Sequence, residues 1–132
     1  MTPRRLSVGL SVIVIVEVPR VSLKELKSTA GESSETVARR IAAARAIQHE
    51  RCGRINALLG AAALCYHCHL DGAGRELLDR AIERLGVSAR GVAGLLKVAR
   101  TIADLQGSEW IRPAHLAEAI QYRAQASPSP LL

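Results

Sequence analysis

From Val87 onward the apolar residues fall at helical spacing. Val92, Leu95, Leu96, Ala99, Ile102 and Ala103 recur three and four apart through Val87–Gly107, the period of one buried helix face. Ser88 stands where a helix N-cap belongs, Gly107 where the helix ends, and Pro113 fits the first turn of the next helix. Upstream, Leu77, Leu78, Ala81, Ile82 and Leu85 mark the buried stripe of a helix opened by Asp71 and stopped at Gly86. A shorter helix is predicted near Gly60–Cys68. Ser33 or Ser34 caps a long helix to about Cys52, with Val37, Ile41, Ala44 and Gln48 on one face, a basic opposite side, and Gly53 as its breaker. Ser22-Leu23-Lys24-Glu25 has the capping-box pattern of a short helical turn.

One segment follows a different rule. Val12-Ile13-Val14-Ile15-Val16 is an unbroken β-branched run and predicts a buried strand, although no second strand is there to pair with it. Arg4 and Arg5 before the apolar stretch Leu6–Val16 imitate a signal peptide, but Glu17, Pro19 and Arg20 occupy the place of a small-residue cleavage site. The stretch is also too short to cross a bilayer, so no membrane partner is expected. The expected fold class is therefore all-α: a small bundle of four to five helices over residues 21–124, preceded by one N-terminal β-strand within residues 1–20. A polar tail, 125–132, carries SPSP and is expected to be disordered.

Composition narrows the chemistry. With only one Trp, two Tyr and no Phe in 132 residues, the core must be built from Leu, Ile, Val and Ala, which suits close-packed helices. The formal charge of +6 admits nucleic acid or an acidic partner without specifying a site. Much of the excess lies in Arg39, Arg40, Arg45, Arg51 and Arg54, which form either a solvated helix face or a contact for DNA or a partner protein. No aromatic residues interleave with them to stack bases. Three cysteines, Cys52, Cys65 and Cys68, are an odd count that argues against a secreted disulfide framework and for a reducing cytoplasm. The CYHCH run, with Cys65, His67, Cys68 and His69, offers zinc-ligand types, helped by His49 and Cys52. It is one dense cluster rather than two paired ones, and on a helix Cys65 and Cys68 face one way while His67 and His69 diverge, so no metal site is assigned. His115 reads as an ordinary early-helix residue.

The wording of SAR…LLKVARTIADLQGSE…AHLAEAIQYR, from Ser88 to Arg123, closely resembles the C-terminal helical lid of the magnesium-chelatase-like AAA+ ATPases, in the ComM-type branch linked to natural competence. EVPRV at Glu17–Val21, GESSETVARRIAAARAIQ at Gly31–Gln48, INALLG at Ile55–Gly60 and LDGAGRELLDRAIERLGVSAR at Leu70–Arg90 continue the resemblance in the same order, covering Glu17 to Arg123. It implies a lid-type helical domain in which Arg90 is the sensor-2 arginine, contacting the nucleotide γ-phosphate, in this branch across a subunit boundary. Full-length members are implied to bind ATP with Mg²⁺, assemble as hexameric rings and drive branch migration on DNA.

Two departures limit what carries over. No Gly-rich turn ending in Lys-Ser/Thr and no acid-terminated Walker-B strand is found; the Gly72–Gly74 and Gly91–Gly94 clusters lack that ending. Before EVPRV, where the family carries an Asp-Arg-x-Asp pattern with the arginine finger, this chain reads SVIVIV, Ser11–Val16, without a charge. The sequence thus reads as a fragment or truncated paralogue, with no cofactor of its own and an AAA+ core or family hexamer as partner. A surface Arg90 paired with Asp79 or Glu83, a basic DNA-binding module and a metal protein remain the alternatives. An uncharged β-branched run adds readily to other strand edges. Deleting Met1–Pro19 should therefore leave the far-ultraviolet helical signal intact and reduce aggregation; loss of that signal would show that the run belongs to the core.

Overall fold

A computed structural model of the chain describes residues 14–27 and 31–126. Among them are six helices, α1 (Leu23–Lys27), α2 (Ser34–Cys52), α3 (Ala61–His67), α4 (Gly72–Leu85), α5 (Ala89–Leu105) and α6 (Pro113–Ala126), and a 3₁₀ turn at Asn56–Leu58. The described fold is all-α. Of the run expected to form a strand, Val12 and Ile13 lie outside the described residues, while Val14, Ile15 and Val16 are exposed and belong to no strand. Most of the expected tail, residues 127–132, also lies outside them.

The helix boundaries follow from local chemistry. Ser22 and Glu25 satisfy each other's backbone N–H groups at 2.8 and 3.2 Å, a reciprocal capping box that starts α1. Ser33, Asp71 and Ser88 accept from the backbone N–H groups of Thr36, Gly74 and Gly91, and so cap α2, α4 and α5. At the far end of α5, Gly107 adopts φ 68°. Its N–H bonds to Asp104 O at 3.0 Å and that of Ser108 to Ala103 O at 2.8 Å. This is a Schellman closure, which needs a left-handed residue and is why glycine stands there.

Helix α5 is the centre of the bundle. It packs against α6, α2, α3 and the 3₁₀ turn, while α4 lies on α6. Its Leu95, Ala99, Ile102 and Ala103 are buried with Leu116 and Ala119 of α6, Leu59 before α3 and Leu78 of α4. Alanines at 99 and 103 let α6 approach closely. The two helices run antiparallel, with Gln106 beside His115 at one end and Gly91 beside Arg123 at the other. A single parallel bridge between Leu70 and Ile111, both buried, ties the start of α4 to the α5–α6 connection.

Helix α2 is different. Of its 19 residues only Ala44 and Gln48 are buried. Val37 and Ile41, expected on the same inward face, are 37% and 43% exposed. Periodicity identified the face; among the described residues nothing covers its first two turns.

His115 closes the start of α6. Arg112 precedes the helix and its carbonyl accepts from the Leu116 N–H, while its own N–H donates to His115 Nδ1 at 2.9 Å. The imidazole therefore takes the reciprocal role that Glu or Gln plays in a capping box. Since Nδ1 accepts, the ring proton is on Nε2, which donates to Gln106 Oε1 at 2.9 Å. Burial, and then the positive charges of Arg100 and Arg112, hold the imidazole below its ordinary value of 6.5. A histidine kept neutral in the fold takes up a proton more readily when unfolded. Its contribution is full above pH 6.5 and declines as pH falls from there toward the depressed folded value. Urea titrations between pH 7.5 and 5 should show this decline. His115→Gln, which keeps an acceptor at the capping position without a titrating group, should flatten the profile; an unchanged slope would contradict the assignment.

Candidate functional site

Arg90 occupies the second position of α5, directly after the Ser88 cap and Ala89, and is exposed. The Ser88 side chain satisfies the Gly91 N–H. The positive end of the helix dipole and a guanidinium thus coincide in the first turn. No ion pair links Arg90 to Asp79 or Glu83 among the described residues. Arg90 borders a concavity of about 310 Å³ between the first turns of α5 and the last turn of α6.

The five other arginines do not form one face. Arg39 and Arg40 pair with Glu35 and Glu32 on the surface of α2. Arg45 and Arg54 are exposed, and Arg45 borders an apolar groove with Ile41 and Leu105. Arg51 is half-buried and engaged within the domain. Its two terminal nitrogens donate to the Asp104 carboxylate at 2.8 and 2.9 Å, and Nη2 also reaches Asn56 Oδ1 at 2.9 Å. A charge on the last turn of α2 looked solvated because its acid lies 53 positions away.

Asp104 is the hub of that cluster, with a side chain 0% exposed. Besides Arg51 it accepts from Asn56 Nδ2 at 2.9 Å and from Arg100 Nε at 3.2 Å. Arg100, 3% exposed, sends its other nitrogens to the carbonyls of Glu109 and Ser108 at 3.0 and 2.8 Å. The Gln48 side chain accepts the Asn56 N–H at 2.9 Å, closing the set from α2. Burial alone would raise the Asp104 carboxyl, but the hydrogen bonds from Arg51 and Asn56 and the two guanidinium charges outweigh it and hold it below its ordinary value.

A family model described as magnesium chelatase, subunit ChlI C-terminal, matches residues 31–123. The chain belongs to this family. It is 42% identical over 111 residues to the competence protein ComM of Haemophilus influenzae, an alignment covering 83% of this chain and 22% of that relative. It is 44% identical over 94 residues, 71% of the chain and 19% of the relative, to the uncharacterized protein YifB of Escherichia coli. YifB of Salmonella typhimurium is 37% identical over 109 residues. The chain spans about a fifth of the length of these relatives.

Within this magnesium chelatase C-terminal domain the CYHCH residues separate. Cys68 is buried at the end of α3, Cys65 and His69 are exposed, and His67 is half-buried. Burial pushes the Cys68 thiol up to about 11, so it is protonated at neutral pH. All three cysteines are free. No group of three or more His, Cys, Asp or Glu converges on a metal position among the described residues, and none of their helices is long and apolar enough to cross a membrane. Asp104, Asn56 and Arg100 escaped sequence reasoning. The one available signal was the i, i+4 pair Arg100–Asp104 bordering an apolar stripe.

Asp104→Asn leaves the buried Arg100 and the half-buried Arg51 guanidiniums without their counter-charge. Removing one partner of a buried pair costs about 3–5 kcal/mol, which urea unfolding should register as a lower midpoint with an unchanged slope. A loss below about 1 kcal/mol would place the cluster with solvated surface pairs.

Proposed function

We propose that this chain serves as the lid-type C-terminal module of a ComM-like AAA+ ATPase, meeting through Arg90 the phosphates of a nucleotide held on a separate core. A guanidinium suits that task because it stays charged and offers two parallel hydrogen bonds to phosphate oxygens. The observation carrying the reading is the exposed Arg90 in the capped first turn of α5, inside the segment that matches the family. The sequence contains no G-x-x-x-x-G-K-[ST] motif, so in this reading the phosphate loop and Mg²⁺ ligands belong to the core and the chain alone does not hydrolyse ATP. Hexameric assembly and ATP-dependent DNA branch migration are the setting we infer for the ring it would serve.

A basic module that binds DNA directly has less support. Arg51 is taken by Asp104, and Arg39 and Arg40 are already paired with acids. Arg45 and Arg54 remain exposed. Strongly salt-dependent duplex binding by this chain, abolished by Arg45→Ala with Arg54→Ala, would favour that alternative.

The reading is tested by grafting Ser22–Arg123 onto the ATPase core of a family member. The chimera should turn over ATP, and Arg90→Ala within it should lower turnover without changing helix content, as when a transition-state contact is lost and folding is not. Equal turnover in the two chimeras would reduce Arg90 to a surface residue.

A further inference from the structure

The α5–α6 connection, residues 106–112, is held differently in its two halves. The first half is fixed to α5: the Ser108 N–H donates to Ala103 O at 2.8 Å, and Arg100 binds the carbonyls of Ser108 and Glu109. The second half, residues 110–112, is held by the bridge of Ile111 to Leu70 and by the His115 imidazole, whose Nδ1 accepts the Arg112 N–H at 2.9 Å. Pro113 has no N–H and the Arg112 side chain has no acceptor. The side-chain cap of α6 therefore rests on that one imidazole nitrogen.

Nδ1 accepts only while it carries no proton. Once protonated, it turns an N–H toward the Arg112 N–H, donor against donor. The other nitrogen is unaffected, because Nε2 donates to Gln106 Oε1 in either state. Protonation thus breaks one contact selectively. Of the charged groups that act on the ring, Arg100 of α5 and Arg112 of the connection repel a proton, while Glu118, one turn further along α6, favours one and already receives the Tyr122 hydroxyl at 2.7 Å. His115 is 3% exposed, yet with the exposed Glu109 it borders a concavity of about 460 Å³, so the buried ring lies beside solvent.

We propose that His115 is an acid-sensitive latch: on gaining a proton at Nδ1 it releases Arg112 and loosens residues 110–112, while α5 and the Asp104 cluster stay folded. Loosening frees the ring from the environment that opposes its charge, so the open form binds the proton more readily than the closed one. As pH falls below 6.5 the open-to-closed ratio rises by up to about tenfold per pH unit, until the lowered value of the closed form is reached. The latch therefore opens locally, ahead of any global loss of structure, and the segment it loosens carries Trp110, 61% exposed.

Trp110 is the single tryptophan of the chain, so its indole N–H gives one NMR signal that reports on this segment. Amide exchange of the full chain, taken relative to the intrinsic rate at each pH from 7.5 to 5, tests the latch. Protection of the Arg112 amide should fall by about tenfold through the titration of His115, with the indole signal shifting at the same midpoint and the amides of residues 95–103 unchanged. A second histidine, His69, borders the concavity on the other side of Trp110; His69→Gln should leave both changes in place. His115→Gln should remove the pH dependence of Arg112 protection, whichever form it rests in. Constant Arg112 protection across the titration of His115 overturns the latch. So does a loss of protection that disappears in His69→Gln or persists in His115→Gln, and so does a simultaneous loss in residues 95–103, which would be global unfolding.

Discussion

The carboxylate of Asp104 is the group on which the rest of the domain depends. Enclosed completely, it has lost its water and is tolerable only because Arg51, Asn56 and Arg100 all donate to it. Those donors come from the end of α2, the 3₁₀ turn and α5 itself, and Arg100 continues to the carbonyls of the α5–α6 connection. One anion therefore joins four segments. This explains how α2 stays docked while burying only Ala44 and Gln48: its attachment is polar and directional, concentrated in its last two turns. A hydrophobic face would have tolerated sliding; a hydrogen-bonded carboxylate specifies a register.

The same helix carries Arg90 at its other end. Helix α5 runs from Ala89 to Leu105, and Arg90 and Asp104 lie about 21 Å apart along its axis. Between them Leu95 and Ala99 pack against α6, which returns Arg123 to the α5 N-terminus. Polar specificity at one end and apolar packing along the middle thus place cations of two helices together at the other.

Much of this was legible in the sequence where the cause is local. Ser33, Asp71 and Ser88 announced helix starts because a cap acts on a backbone N–H three residues away. Gly107 announced a stop, and the stripe through Leu95, Ala99 and Ile102 announced the core. Arg90 came from the family resemblance together with its place at a helix start. Non-local chemistry was hidden. Arg51 looked like part of a basic face because the acid that pairs with it is distant in the chain, and Arg123 comes beside Gly91 only once α5 and α6 are packed. Val37 and Ile41 show the converse limit: spacing gives a shared face, but whether that face is covered depends on what lies against it. His115 seemed ordinary because its capping role requires the Arg112 N–H and the Gln106 side chain at once.

If Asp104 joins α2, the 3₁₀ turn and the end of α5 into one cooperative unit, their amides must open together. Native-state hydrogen exchange at increasing denaturant measures this residue by residue. The amides of Gln48–Cys52, Asn56 and Ile102–Gln106 are expected to converge on a common opening free energy, close to that of the α5–α6 core. Exchange of Gln48–Cys52 and Asn56 through a separate, lower-energy opening, with α5 still protected, would contradict it.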